Sequence, residues 1–236
     1  RGERILSAAE VSRLAGLVGR RSAGEPLAHV SGHAGFRRLV LASDARALIP
    51  RPETEGLVEL VLERMPEGVA ADVCTGSGCI ALALAQEGRY DRVIGTDCSG
   101  EALDLARENA GRAGIAVEWR LGNLVEPLRG ERLDVLVANP PYLTQDEYTA
   151  LEPAVRAWQP RLALESGEDG LTATRELLRA GLDVVRPGGW IALEVDCHRA
   201  AAVARLAAGF GWVEPAVHQD LFDRARFVLA RRSETS

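Results

Sequence analysis

The stretch Val69-Ala-Ala-Asp-Val-Cys-Thr-Gly-Ser-Gly-Cys-Ile-Ala-Leu-Ala-Leu-Ala-Gln-Glu87 decides the fold. Residues 69–73 are a short apolar run of strand length, and 79–87 continue as a helix. Between them, Cys74-Thr75-Gly76-Ser77-Gly78 is a turn whose glycines allow backbone conformations closed to other residues and let a ligand approach the main chain. The next strand, 92–96, runs into Asp97, an acid placed to accept both hydroxyls of a ribose. A Gly-rich turn alone is weak evidence; the turn followed by Asp97 points to a nucleoside ligand. The alternative is a tight strand–helix turn that binds nothing.

Outward from this unit the same alternation continues. The pattern predicts helices at 53–64, 99–112, 169–185 and 199–209, and strands at 116–121, 133–138, 190–195, 212–218 and 226–230. Strand–helix alternation makes the chain an α/β protein with a mostly parallel sheet covered on both faces. The last two strands have no helix between them and are expected to pair antiparallel. Upstream, Ser7-Ala-Ala-Glu10 has the spacing of a capping box, and Val11, Leu14, Leu17 and Val18 recur at helical intervals. Residues 27–49 read as an extended hairpin, with 27–30 and 36–41 flanking a turn at 31–35. The expected division is a helical segment at 1–24, a hairpin linker at 25–52 and a catalytic unit at 53–232. The chain begins with Arg1 rather than Met, so its true N-terminus is expected to be missing.

Composition narrows the function. The 236 residues carry 28 basic and 34 acidic side chains, a net charge of −6, and every basic residue is Arg. Without Lys there is no Schiff-base chemistry and no P-loop lysine. An acidic chain does not coat nucleic acid non-specifically. No apolar run is long enough to span a membrane, and the four Cys and four His show no zinc-type spacing, so no metal is expected. Arg20-Arg21 and Arg37-Arg38 read as solvated pairs, His29 and His33 as solvated or structural, and the four Trp as core or domain-contact residues. The cysteines suit reduced thiols in a cytoplasmic protein.

The chemistry sits after the strand at 133–138, in Asn139-Pro140-Pro141-Tyr142. Open α/β sheets bind ligands at the carboxyl ends of their strands. A planar NH2 group is a poor nucleophile because its lone pair is delocalised. The Asn139 side-chain oxygen and the Pro140 carbonyl can each accept one N–H of such a group, which aims the lone pair and stabilises the charge that develops. Pro141 stiffens the exit, and Tyr142 can lie flat against the planar group. The tetrad therefore predicts methylation of a planar NH2, as in adenine, guanine, cytosine or glutamine.

Two resemblances sharpen this reading. The pattern Asp72-x-x-x-Gly76-x-Gly78 resembles motif I of S-adenosylmethionine-dependent methyltransferases, a ligand without a pyrophosphate. The run from Gly24 to Gly32, Phe36, Leu48-Ile-Pro-Arg-Pro-Glu-Thr-Glu55, the tetrad, Pro160-Arg-Leu-Ala-Leu164 and Gly167-Glu-Asp-Gly170 are similar to the release factor glutamine methyltransferases (the HemK/PrmC family). The similarity runs from about residue 24 to about residue 230. It implies a class I methyltransferase (Rossmann-like) fold: a mostly parallel seven-stranded sheet with helices on both faces and an antiparallel last strand, preceded by a β-hairpin and the remnant of an N-terminal helical domain. It implies S-adenosyl-L-methionine as donor, S-adenosyl-L-homocysteine as product, and the glutamine of a release factor Gly-Gly-Gln loop as acceptor.

On this resemblance Asp72, Thr75, Gly76, Gly78, Asp97, Asn123 and Asn139 bind the donor; Asn139, Pro140 and Tyr142 are catalytic; and Arg51, Pro52, Glu53, Thr54, Pro141 and Tyr142 line the acceptor pocket. Glu53 and Glu55 can equally be first-turn acids that favour a helix dipole. Departures from the pattern are Cys74 for a common Gly, Gln159 for Glu before Pro160, and Asp196-Cys197 after Glu194. The same chemistry on a ribosomal-protein glutamine, DNA adenine or rRNA guanine stays open, as does a non-catalytic donor-binding protein. The acidic charge weighs against DNA, and a cytoplasmic monomer without membrane contact is expected.

Overall fold

The computed structural model describes residues 5–234. A helix, α1 (Ala8–Ser22), is followed by a short α2 (Leu27–Ser31) and a hairpin of β1 (His33–Phe36) and β2 (Leu39–Ala42). The main body runs α3 (Thr54–Arg64), β3 (Glu67–Val73), α4 (Cys79–Glu87), β4 (Arg89–Asp97), α5 (Gly100–Ala113), β5 (Glu118–Leu121) and β6 (Leu133–Ala138). It continues with α6 (Gln145–Ala150), α7 (Pro153–Trp158), α8 (Thr172–Val184), β7 (Val185–Glu194), α9 (Ala200–Phe210), β8 (Trp212–Gln219) and β9 (Ala225–Arg232). The strands from β3 onward form one seven-stranded sheet in the order β5-β4-β3-β6-β7-β9-β8. All neighbours pair in parallel except β9, which is antiparallel to both β7 and β8. This is the class I methyltransferase arrangement expected from the sequence.

The two-residue strand period sorts the core. Ala71, Val73, Leu136, Ala138, Ile191 and Leu193 point to one face and pack with Leu177, Leu178 and Val184 of α8 and with Val203 and Ala207 of α9. Ala70, Val135, Val137, Ala192, Phe227 and Leu229 point to the other, against Leu57, Val58 and Val61 of α3, α4, and Phe36 and Leu41 of the hairpin. The order of the sheet reverses between β3 and β6, and their carboxyl ends flank the crevice where such sheets bind ligands.

The Ser7–Glu10 capping box forms as read, while the first four residues of the expected N-terminal segment lie outside the described residues. Three expectations are corrected. Residues 27–30 are helical, not extended: Pro26 sets φ at −57°, Gly32 ends the turn at φ +80°, and the Arg20 guanidinium donates to the carbonyls of His29 and Val30. The hairpin turn therefore lies at Arg37-Arg38 rather than 31–35. Arg37 is not solvated. Its backbone N–H donates to Glu55 at 2.9 Å and its guanidinium to Glu87 and Glu59 at 2.7 Å each, which holds its left-handed φ of +50°. The short helices α6 and α7 had no counterpart in the sequence reading.

Asn109 of α5 joins three segments. Its side-chain oxygen accepts from the Ala42 N–H at 2.6 Å, and its NH2 donates to the carbonyls of Ala42 at 3.3 Å and Ser77 at 3.0 Å. The side chain is buried, so no water replaces these partners. Asn109→Leu is expected to lower stability by about 2–4 kcal/mol, measured as a shift in urea midpoint with the slope unchanged.

Candidate functional site

A cleft of about 1140 Å3 opens over the carboxyl ends of β3, β4 and β6. Its floor is the Gly-rich turn. Gly76 and Gly78 take left-handed φ values of +54° and +81°. A Cβ on Gly78 would meet Trp119 at 2.9 Å and Ala106 at 3.1 Å, so glycine is required by both backbone and space. Cys74 shares the left-handed region at φ +60° without glycine's freedom, and its side chain packs on the core instead. Two carboxylates hold the turn. Asp97 accepts from Gly76 N–H and Ser99 N–H, each at 2.9 Å, through different oxygens. Asp72 accepts from the Thr75 hydroxyl at 2.5 Å and Ala81 N–H at 3.1 Å through one oxygen, while its other oxygen is buried without a partner.

At the opposite wall, Asn139 directly follows β6. Its Nδ2 donates to the Thr54 hydroxyl at 3.3 Å, and its Oδ1 is a buried acceptor with no partner. Thr54 opens α3 and is itself buried. Glu194, at the end of β7, is also buried and has an unpartnered Oε2. Burial pushes its pKa up to about 7, against the nearby Thr54 hydroxyl and the positive charge of Arg226, which pull it down.

The structure brings Thr75, Gly76, Asp97, Asn123, Asn139, Pro141, Arg51 and Thr54 to the lining of one cleft. Others of the anticipated residues stand behind it. Asp72 is fully buried beneath the floor, where it braces the turn, and Gly78 caps α4. Pro140 is buried, and Tyr142 is half-buried with its N–H donating to Leu164 at 3.1 Å. Burial, then the nearby Glu194 charge, keeps the Tyr142 phenol protonated. Pro52 is exposed off the wall, and Glu53 faces Arg224 of the β8–β9 turn at 3.1 Å rather than the cleft.

Sequence reasoning missed the far wall, which includes Trp158, Gln159, Pro160 and Leu162. Trp158 therefore lines the cleft instead of the core. Gln159 takes the Arg51 guanidinium at 3.0 Å, a contact that the unexpected Gln at this position could have flagged. Burial raises the pKa of Cys74 and of Cys79, the latter to about 12, so these cleft thiols stay neutral. Asp196, Cys197 and His198 do come within 4.8 Å of one another, but on the turn after β7, where Arg199 engages Asp196.

Burial also drives the Asp72 pKa up to about 7, opposed by its Thr75 and Ala81 hydrogen bonds. A folded-state pKa above the unfolded one means the native state holds the extra proton, so this stabilisation is present at low pH and is lost as pH rises through about 7. Asp72→Asn removes that dependence. The variant is expected to gain on the wild type by on the order of 2–4 kcal/mol between about pH 4 and about pH 7, and to hold a constant difference above. Paired urea denaturation across this range measures it.

The comparisons with known proteins agree with this geometry. Residues 53–168 match the methyltransferase small domain family. The release factor glutamine methyltransferase of Moorella thermoacetica is 42% identical over 238 residues, spanning 98% of this chain and 84% of the relative. That of Deinococcus radiodurans is 42% identical over 219 residues, spanning 92% of this chain and 78% of the relative. A methyltransferase from Pyrococcus furiosus shares the fold at a TM-score of 0.63 and 16% identity, over 96% of this chain and 100% of its own. With a site at the β3–β6 reversal, a glycine turn over two carboxylates and relatives of this identity and coverage, the chain belongs to the release factor glutamine methyltransferase family.

Proposed function

We propose that this chain transfers the methyl group of S-adenosyl-L-methionine to the side-chain amide nitrogen, N5, of the glutamine in the Gly-Gly-Gln loop of a peptide-chain release factor. One observation carries the reading: Asn139, on the cleft wall, holds a buried oxygen acceptor with no partner while its NH2 is engaged by Thr54. A buried acceptor left unsatisfied is costly, and an incoming amide N–H supplies what it lacks.

The residues fit the donor. The left-handed turn at Gly76 and Gly78 keeps side chains away from the floor, and Asp97 keeps lone pairs free beyond its two backbone bonds to accept ribose hydroxyls. Asn123 lines the same end of the cleft, beside Leu124, where a base edge would lie. S-adenosyl-L-methionine supplies an electrophilic methyl on a sulfonium. Everything else asked of the protein is positioning. Asn139 Oδ1 and the Pro140 carbonyl accept the two amide hydrogens, which fixes the NH2 plane and stabilises the positive charge growing on nitrogen. No strong base is needed, because the nitrogen becomes acidic only once it is alkylated. Tyr142 and Pro141 stiffen the segment, while Arg51 and Thr54, with Pro52 at the rim, receive the acceptor loop. The catalytic work falls to residues 53–232, with 25–52 as a linking hairpin and 1–24 as part of the surface that grips the release factor. Such an enzyme works in the cytoplasm, and nothing in the chemistry requires DNA, a membrane or a second copy of the chain.

Labelled donor offered in parallel to release factors, ribosomal proteins and DNA tests the reading. Label on the release factor is expected, and none on one whose loop Gln is replaced by Asn; label on DNA alone would overturn it. Asn139→Ala is expected to lower kcat at least about 100-fold while donor affinity, read by calorimetry, changes less than about threefold.

A further inference from the structure

Methyl transfer as proposed depends on where Asn139 and the Pro140 carbonyl sit. The near end of the tetrad is fixed by the sheet: Ala138, the last residue of β6, pairs with Val73 of β3 and Leu193 of β7. Pro140 and Pro141 have fixed φ angles, so the short span they form is set by wherever its far end is held. That far end is Tyr142-Leu143. The N–H groups of both donate to the Leu164 carbonyl, at 3.1 and 2.8 Å, and the Leu143 carbonyl accepts from Ser166 N–H at 2.8 Å. Gly170 closes on the same point. Its φ is +73°, and a Cβ there would overlap the Tyr142 carbonyl oxygen, so the backbone of the 167–170 loop lies directly against the tetrad.

Arg199, which caps the start of α9, joins the two segments that meet there. Its Nη2 donates to both carboxylate oxygens of Glu147 at 2.8 Å each, and its Nε donates to the Asp169 carbonyl at 3.0 Å. Its Nη1 faces Asp196 at 3.4 Å. Glu147 is itself tied to the exit of the tetrad. It closes the capping box of α6 with Thr144, two residues beyond Tyr142, through bonds of 2.8 and 3.1 Å. Asp169 adjoins Gly170, and the Arg199 Cζ lies 3.3 Å from where a Gly170 Cβ would stand. One guanidinium therefore staples the start of α6 to the loop before α8, with Tyr142 between them. An exposed ion pair would contribute little, but the Arg199 side chain is only 17% exposed and engages Glu147, Asp169 and Asp196 together.

We propose that Arg199 is a positioning residue for methyl transfer, which clamps Glu147 and the Asp169 carbonyl around Tyr142 and so holds Asn139 and the Pro140 carbonyl in register with the acceptor amide. The inference rests on the reading of those two groups as the amide-binding pair. Arg199 is not among the residues that line the cleft, so it acts through the backbone it holds. Misplacing reacting groups by about 1 Å costs on the order of 100-fold in rate, so the effect falls on turnover and spares the donor floor at Gly76 and Asp97.

The test uses the whole chain and two readouts. Arg199→Met keeps the reach of the side chain and removes every donor. It is expected to lower kcat for release factor methylation about 10- to 30-fold, with donor affinity, read by calorimetry, within about twofold of wild type. Arg199→Lys, which can still engage one partner, is expected to recover to within about fivefold of wild type. Gly170→Ala is expected to lose about 100-fold in kcat, again with donor affinity kept. An Arg199→Met enzyme with wild-type kcat, or one that loses donor affinity as steeply as kcat, overturns the proposal. The second readout needs no acceptor. The side-chain NH2 resonances of Asn139, assigned by their loss in Asn139→Ala, and the Tyr142 backbone N–H resonance are expected to move in Arg199→Met while that of Gly76 stays in place. Tetrad resonances that do not move overturn the proposal even if release factor is methylated. Tetrad resonances that do move, with no label on release factor from the wild type, support the clamp and reject the assigned substrate.

Discussion

The Gly-rich turn after β3 is held in left-handed backbone by two carboxylates, and the architecture of the site depends on that restraint. Asp97 reaches across from the neighbouring strand to the Gly76 N–H, while Asp72 reaches up from below to Thr75 and Ala81. Each satisfies backbone or hydroxyl donors that a tight turn would otherwise bury unpaired. The arrangement also sets apart two acids that look alike in the sequence. Asp97 remains at the cleft surface with both oxygens aligned, whereas Asp72 is sealed beneath it, and burial shifts its pKa toward neutrality.

On the Asn139 side of the cleft, as beneath the floor at Asp72, the protein buries polar groups without fully satisfying them. Asn139 Oδ1 and Glu194 Oε2 both lack partners. Such groups cost stability, and a site that must grip a planar amide has a use for an acceptor held out of water and pointed in one direction. The hairpin β1–β2 and the Arg37 cluster contribute at a distance. They anchor the first turn of α3, and with it Thr54, through Glu55 and Glu59.

Much of this was legible from the sequence because it is local. The strand at 69–73, the helix at 79–87 and the strand at 133–138 follow from apolar runs bounded by glycine and proline, and the structure reproduces them to within two residues. The hairpin was misread because the fate of 27–31 depends on Arg20, ten positions upstream of Val30, whose guanidinium takes carbonyls that a strand would have paired. Helices α6 and α7 are six residues each, too short to carry a periodic signal. Trp158 reads as a core or domain-contact residue and Gln159 only as a departure from the family pattern, since only the return of that segment over the sheet makes them a wall of the cleft.

The sequence by itself determined the α/β class, the glycine turn, the acid at the end of β4 and the amide-directed tetrad, because each depends on residue types at short, fixed spacing. Tertiary structure alone decided which of those residues face the ligand and which brace it. Asp72 and Glu53 resemble cleft residues in the sequence, and only packing turns them away. Tertiary structure alone also buried Glu194 at the end of β7 with one oxygen unpartnered. Burial and partner geometry are properties of the folded chain, and they decide whether a carboxyl is a ligand or a brace.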